Sequence, residues 1–241
     1  VHAGAERALL GPFPPGWPGH DPDGMAGVPL PPGPPTMPGL AADAIRLMLR
    51  SASTPLTLVG IAPATNLALA LATEPGLATS VAEIVLMGGA SGSGNATREA
   101  EFNALADPEA LSILTTAGPA LTLVPLEAGR AVRASPARIA KLAAAGSGRA
   151  LQTAVAILRA LPSPEAGPAL YDPLALAWLI RPALFRARSV SLAVECGPGA
   201  TRGRTIITPA AEGTRPPIRL LEPCDPDGFF ILLAERLARL P

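Results

Sequence analysis

The chain has 241 residues, enough for one large domain or two small ones, and 49% of them are apolar while only 16% are charged. That composition is typical of a globular protein and not of a disordered one. The 19 basic and 19 acidic side chains cancel, which argues against a nucleic-acid-binding or membrane-surface protein. Two cysteines and two histidines are too few for a disulfide framework or a multi-histidine metal site. Without a recognisable signal peptide or membrane span, we expect a cytoplasmic protein.

The first predicted feature is a loop over residues 11–39, which contains eleven prolines and seven glycines. Proline lacks a backbone N–H and fixes φ, so this density is incompatible with a regular helix or sheet. Within the loop, residues 19–24 (GHDPDG) form the one cluster of chemically reactive side chains. His20 is either a functional residue or a solvated loop residue.

After the loop, predicted helices and strands alternate. Strands are predicted at residues 56–61, 82–87, 121–124, 190–194 and 205–208, and helices at residues 40–50, 63–71, 135–145, 149–161, 172–180 and 228–240, with a further helix beginning at Asp107. The pairs Asp107-Pro108 and Asp172-Pro173 are typical helix starts, with Asp as the N-cap and Pro in the first turn. The alternation predicts an α/β fold, an open and mostly parallel sheet flanked by helices, in a single domain over residues 1–241.

Polar residues follow the predicted strands at residues 61–66, 88–103 and 124–127. Ligands of open α/β sheets bind outside the carboxyl ends of the strands, so these loops should form the site. Asn95, Glu101 and Asn103 lie in the second loop and are suited to hydrogen bonds with sugar hydroxyls. The structural alternative is a polar surface loop with asparagine in turn positions.

The glycine-rich sequence GGASGSGN at residues 88–95 also suggests a phosphate-binding loop. However, no Gly-Lys-Ser/Thr follows it, and no apolar helix begins after it. Ser91 and Ser93 do not form a Gly-x-Ser-x-Gly elbow, and no histidine is available as their base. A nucleotide-dependent Rossmann enzyme is therefore a weak alternative, and a serine hydrolase is disfavoured.

Several short motifs gain meaning from their order along the chain. They are GHDPDG (19–24), IAPATNLAL (61–69), MGGA (87–90), GNAT (94–97), AEFN (100–103), DPEA (107–110), YDPLA (171–175) and TRGRT (201–205). Together they resemble the inosine–uridine-preferring nucleoside hydrolase family over essentially the whole chain. The resemblance implies a calcium-dependent enzyme that splits the N-glycosidic bond of a nucleoside with water. The transition state is oxocarbenium-like, and the products are ribose and the free base.

The resemblance also implies which residues bind substrate and metal. Asn95 and Glu101 would hold the 5′-hydroxyl side of the ribose, and Asn103 would hold the 3′-hydroxyl. Asp172 and the backbone carbonyl of Ile61 would be calcium ligands, and oxygen ligands suit this hard cation. Asp107, by contrast, is interpreted as a structural N-cap.

The implied catalytic residues are His20, Tyr171 and Asp172, with His20 near the base. Tyr171 stands where many family members have the histidine that protonates the leaving base. A phenol has an ordinary pKa of about 10, so it stacks on or hydrogen-bonds a base more readily than it protonates one. Asp21 stands where the family usually has glycine, which leaves the base preference open.

The chain departs from the family in one main respect, because the motif Asp-x-Asp-x-Gly-x-Asp-Asp does not occur in it. In the family this motif supplies most metal ligands and the water-activating carboxylate. We therefore expect an N-terminally truncated member that lacks the first βα portion of the fold, binds calcium poorly and hydrolyses little. The alternative is a non-catalytic nucleoside- or ribose-binding protein that has lost the metal site. The expected partner is a small-molecule nucleoside, and the expected assembly is a homodimer or homotetramer.

Overall fold

The computed structural model describes residues 1–16, 24–162, 165–210 and 218–240. Contacts within the chain divide it into two compact units. The sheet unit comprises Val1–Pro14, Gly33–Glu127 and Ala187–Glu222, and the helical unit comprises Pro15–Pro32, Ala128–Arg186 and Pro223–Pro241. The single domain expected over residues 1–241 stays a prediction. Among the described residues, none of the helices has both the length and the apolar character needed to cross a membrane.

The elements of the sheet unit follow one another in the predicted alternation. They are β1 (His2–Ala3), β2 (Met37–Leu40), α1 (Ala41–Ser51), β3 (Leu56–Gly60), α2 (Thr65–Thr73), β4 (Val81–Met87), α3 (Phe102–Ala106), α4 (Pro108–Thr116), β5 (Ala120–Val124), β6 (Ala187–Val194), β7 (Thr205–Pro209) and β8 (Ile218–Leu221). Helix α5 (Leu126–Arg130) has its first two residues in the sheet unit and the rest in the helical unit. The helical unit contains α6 (Pro136–Ala143), α7 (Arg149–Ala160), α8 (Asp172–Ile180) and α9 (Pro226–Leu237). The predicted helices and strands therefore exist, with ends shifted by a few residues.

The main sheet has six strands in the order β3-β4-β5-β8-β6-β7. The first four are mutually parallel, and β6 runs antiparallel to both β8 and β7. This confirms the predicted open and mostly parallel α/β sheet flanked by helices. Strand β8 was not predicted. It has only four residues, and the charged Arg219 in its centre breaks the apolar pattern. Arg219 is accommodated by an ion pair with Glu83 of β4, at 3.6 Å.

One face of the sheet forms the core with the helices α2 and α4. Strand residues such as Ile84, Leu121 and Leu123 pack there with Leu67 and Leu114 of the helices. All but Leu67 are almost fully shielded from solvent. The strand sequences are continuous apolar runs because a parallel sheet in an α/β fold is covered on both faces, so side chains on both sides of a strand are buried. This packing holds the carboxyl ends of β3, β4 and β5 side by side.

Two local expectations are corrected by the structure. Residues 37–39 of the predicted loop belong to β2, which pairs in parallel with β1 through a hydrogen bond from the Met37 N–H to the Val1 carbonyl (2.7 Å). A small edge pair tolerates Pro38 because few of its backbone groups need a partner. Asp172 is not an N-cap, because it is the first helical residue of α8 and Tyr171 occupies the cap position. Asp107 does cap α4, accepting a hydrogen bond from the Ala110 N–H (3.0 Å).

Candidate functional site

The loop that follows β4 is held by side chains from three other elements. Four consecutive backbone amides each donate to a side-chain oxygen: Gly89 to Glu101 (2.9 Å), Ala90 to Thr205 (2.9 Å), Ser91 to Glu127 (3.0 Å) and Gly92 to Glu127 (3.1 Å). A phosphate-binding loop needs such amides for its ligand. Because these four already have protein acceptors, the loop lacks the main feature of a phosphate cradle, which argues against the nucleotide-enzyme alternative.

Glu101 links this loop to α3. Its side chain is only 2% exposed, and as the N-cap of α3 it accepts from the amides of Asn103 (2.9 Å) and Ala104 (3.0 Å). The same carboxylate accepts from Gly89 on the loop. A buried carboxylate with three amide donors has its charge well stabilised. Glu101 therefore has a structural task that the sequence did not reveal, and its contact with ribose stays a prediction.

Asn95 and Asn103 lie next to Glu101, each with part of its amide group engaged. The Asn103 Nδ2 donates to the Met87 carbonyl oxygen at 3.1 Å. The Asn95 Oδ1 accepts from the Phe102 N–H at 2.9 Å. Both asparagines are half-buried. The three predicted substrate-binding residues therefore come together in one place, and the buried Glu101 does not fit the alternative of a solvated surface loop.

Asn103 also lines a small cavity where two strand-end loops meet. Ala62 and Ala64 come from the loop and helix start after β3, and Met87 and Gly88 come from the end of β4. The cavity is about 10 Å³, which is room for about one water molecule and too small for a nucleoside. Convergence of these loops confirms the expectation that the carboxyl ends of neighbouring strands meet at one edge of the sheet.

The TRGRT motif braces this region from the β6–β7 connection. Arg202 forms a bidentate ion pair with Glu109 of α4, with N–O distances of 2.7 and 2.8 Å. Burial raises the pKa of Glu109, but the hydrogen bonds from Arg202, a backbone hydrogen bond and the Arg202 charge outweigh it, so the pKa lies below its usual value. Gly203 has a φ of +78°, and a Cβ there would lie 2.5 Å from the Leu105 Cα. No side chain larger than glycine's hydrogen fits at this position.

Thr205, the last residue of the motif, reaches the loop after β4. Its Oγ1 accepts from the Ala90 N–H (2.9 Å) and donates to the Ala90 carbonyl (2.7 Å). Beside it, Arg204 lies 3.4 Å from Glu99. The sequence showed this motif only as part of the family resemblance. Its contacts show that it supports the loop that carries Asn95 and Glu101.

The predicted residues Tyr171 and Asp172 belong to the helical unit, at the start of α8. The Tyr171 ring rests directly on Gly129, since a Cβ at position 129 would lie 2.1 Å from its Cδ1. The preceding Leu170 N–H donates to the Val132 carbonyl at 2.9 Å, which fixes the segment before the helix. Tyr171 is half-buried, and Asp172 is exposed.

The implied calcium ligands do not make a complete site. Ile61 is 49% exposed and belongs to the sheet unit, whereas Asp172 belongs to the helical unit. Nowhere in the described ranges do three or more His, Cys, Asp or Glu residues form a group that could hold a metal ion. Calcium takes about six to eight oxygen ligands, so one carboxylate and one carbonyl do not fit it by themselves. His20 lies outside the described residues.

Comparison with known proteins identifies similar sequences. The family model described as "Inosine-uridine preferring nucleoside hydrolase" matches residues 1–231. The pyrimidine-specific ribonucleoside hydrolase RihA of Enterobacter sp. (strain 638) is 35% identical over 230 residues, 91% of this chain and 73% of that protein. The non-specific ribonucleoside hydrolase RihC of Salmonella typhi is 36% identical over 200 residues, 82% of this chain and 65% of that protein. The chain thus spans about two thirds to three quarters of these relatives.

Solved structures show the same fold. A purine-preferring ribonucleoside hydrolase from Gardnerella vaginalis superimposes with a TM-score of 0.86 at 25% identity, covering 99% of this chain and 79% of that one. The plant nucleoside hydrolase PpNRh1 gives a TM-score of 0.87 at 23% identity, covering 99% and 80%. The fold of these solved chains therefore matches that of nearly the whole of this chain.

Proposed function

We propose that this chain, which belongs to the inosine–uridine-preferring nucleoside hydrolase family, acts on ribonucleosides and splits their N-glycosidic bond to give ribose and the free base. The relatives named above are ribonucleoside hydrolases. The observation that carries the proposal is the cluster of Asn95, Glu101 and Asn103 at the carboxyl edge of the sheet. A cytoplasmic location and a homodimeric or homotetrameric assembly are part of the same proposal.

The two asparagines offer complementary groups to a sugar. An asparagine amide has one acceptor oxygen and a nitrogen with two N–H donors. The Nδ2 of Asn103 is engaged with Met87, so its Oδ1 can accept a hydrogen bond from a ribose hydroxyl. The Oδ1 of Asn95 is engaged with Phe102, so its Nδ2 can donate to a ribose hydroxyl. Each hydroxyl both donates and accepts, so the pair suits adjacent hydroxyls of one sugar.

The hydrogen bonds that hold the loop after β4 lower the entropic cost of binding a nucleoside. The loop's amides at positions 89–92 are already hydrogen-bonded in the protein, so little backbone freedom is lost when a ligand arrives. Pre-organised groups of this kind add affinity and hold a reacting bond in place. We propose that the loop after β4, with Asn95, Glu101 and Asn103, binds and orients the ribose. We also propose that Tyr171 and His20 contact the base.

Calcium is expected only where the complete set of metal ligands found in the family is present. Asp172 and the Ile61 carbonyl would contribute two oxygens, and a bound calcium ion would activate water and polarise the sugar hydroxyls. The described residues do not fit the ion by themselves. For the same reason we expect these 241 residues to hydrolyse nucleosides slowly.

The second candidate is a nucleoside- or ribose-binding protein without catalysis. The lack of a three-carboxylate cluster among the described residues favours it, because the sugar contacts need no metal. The two functions share a binding site and differ only in whether the glycosidic bond is broken.

One experiment separates them. The purified chain is titrated with inosine, uridine and ribose in a calorimeter and then assayed for ribose release, with added CaCl2 and with EDTA. Ribose release that requires calcium supports the hydrolase. Binding without ribose release under either condition supports the binding protein. If no nucleoside binds and no ribose is released, the proposal is wrong.

A further inference from the structure

We propose that Glu127 and Thr205 are positioning residues of the substrate site, an inference that rests on the proposed function. Both hold the backbone of residues 90–92. Neither was implied as a substrate or metal ligand by the resemblance. They act by setting where the loop lies and, through the loop, where Glu101 and Asn103 lie.

Glu127 holds two adjacent amides with its two carboxylate oxygens. It lies in the first turn of α5, directly after β5. Its Oε2 accepts from Ser91 at 3.0 Å, and its Oε1 accepts from Gly92 at 3.1 Å. Hydrogen bonds to an ionised acceptor are shorter and stronger than neutral ones, and here they hold the outer part of an otherwise exposed loop.

Thr205 satisfies both backbone groups of Ala90 with one hydroxyl, which accepts from the N–H and donates to the carbonyl. Thr205 is only 6% exposed and Ala90 only 3%. Water cannot easily replace the hydroxyl at a site this buried, and the loss of a buried partner is costly. The inner part of the loop therefore depends on a residue of the β7 strand.

The loop transmits its position to the substrate residues through Glu101. The Gly89 N–H donates to the Glu101 Oε2, and the Asn103 N–H donates to the Oε1 of the same carboxylate. Gly89 has a φ of +73° and lies close to Thr205, whose Cγ2 would be 3.0 Å from a Cβ at position 89. Movement of residues 90–92 therefore displaces Gly89, then Glu101, and then the first turn of α3 that carries Asn103.

The test for Glu127 is Glu127→Gln, with Glu235→Gln as the matched control. Glutamine has the same size but one acceptor oxygen, so it can keep only one of the two amide bonds. Glu235 pairs with Arg181 on the surface of the helical unit, so its substitution should change nothing at the loop. We expect the Ser91 or Gly92 amide of Glu127→Gln to exchange hydrogen about ten-fold faster. We also expect the Kd for inosine and uridine to rise about ten-fold, or about 1.4 kcal/mol.

The test for Thr205 compares Thr205→Val with Thr205→Ser. Valine keeps the shape and removes the hydroxyl, whereas serine keeps the hydroxyl. We expect Thr205→Val to weaken nucleoside binding and Thr205→Ser to restore it to within about two-fold of the wild-type Kd. A residue that serves only packing would give the opposite ranking, since valine fills the space better than serine does.

The outcomes separate this inference from the proposed function. If the wild-type chain binds neither inosine nor uridine, the proposed function is wrong and this inference falls with it. If the wild type binds and Glu127→Gln binds equally well while its loop amides exchange faster, only the positioning role is wrong. Unchanged amide exchange in Glu127→Gln would also overturn it.

Discussion

Glu101→Gln tests the observation that one buried carboxylate holds three backbone amides. Glu101 is 2% exposed, and it accepts from Gly89, Asn103 and Ala104 at 2.9, 2.9 and 3.0 Å. Its Oε2 receives two of the three amides. The best placement of glutamine therefore puts the amide oxygen at that position and the NH2 group opposite the Asn103 N–H. Two donors then face each other in a site that solvent hardly reaches.

The magnitude follows from the number of bonds lost. Leaving one buried donor without an acceptor costs about 1–3 kcal/mol, and the two bonds that remain lose the charge of the acceptor. We expect Glu101→Gln to lower the free energy of unfolding by roughly 2–3 kcal/mol. Glu101→Ala, which removes all three bonds, should lower it by about 3–5 kcal/mol. Both substitutions should weaken nucleoside binding by the same factor for every base, because they act on the ribose side.

The assay is urea unfolding followed by circular dichroism, together with binding titrations of inosine and uridine. Glu235→Gln is the matched control, since it is the same type of substitution and Glu235 forms only a partly exposed ion pair with Arg181 in the helical unit. Pairs of that kind contribute about 0–1 kcal/mol. If Glu101→Gln unfolds at the same urea concentration as the wild type, the three amide bonds do not support the loop. A loss of affinity for only one of the two nucleosides would place Glu101 in the base pocket.

Three other predictions concern the sugar, the metal and the acid limit of stability. Asn103→Ala should raise the Kd for inosine and uridine alike by about ten-fold in calorimetry, and unequal losses would contradict a ribose contact. In a complete protein that also carries the motif Asp-x-Asp-x-Gly-x-Asp-Asp, Asp172→Ala should abolish calcium binding and lower ribose release by orders of magnitude, so unchanged release would refute its role as a ligand. The pKa of Glu109 is lowered on balance, since the Arg202 contacts outweigh the opposing effect of burial. The stability of that pair should be complete above about pH 4.3, the ordinary glutamate pKa. It should be lost as the pH falls through the lower folded-state value. The difference in unfolding free energy between wild type and Glu109→Gln should therefore shrink in acid, and a constant difference would contradict this.

Much of the fold follows from local sequence patterns. The apolar runs that became β4 and β5 predict buried strands because parallel strands are covered on their faces. The pair Asp107-Pro108 predicts the start of α4, since the cap accepts its hydrogen bond from Ala110 only three residues away. The resemblance located Asn95, Glu101 and Asn103 in sequence, and the α/β alternation predicted that they follow a strand.

Other features were decided only by the tertiary structure. Strand β8 lies between β5 and β6, although its four residues carry a central arginine, which forms an ion pair with Glu83 of β4. The acceptors of the loop amides lie 12, 115, 36 and 35 residues from their donors. Local patterns report the neighbours of a residue along the chain, and contacts over such distances form only once the strands are in place. The sequence by itself therefore determined the family, the alternation of elements and the candidate sugar ligands, while the tertiary structure decided what holds those ligands in position.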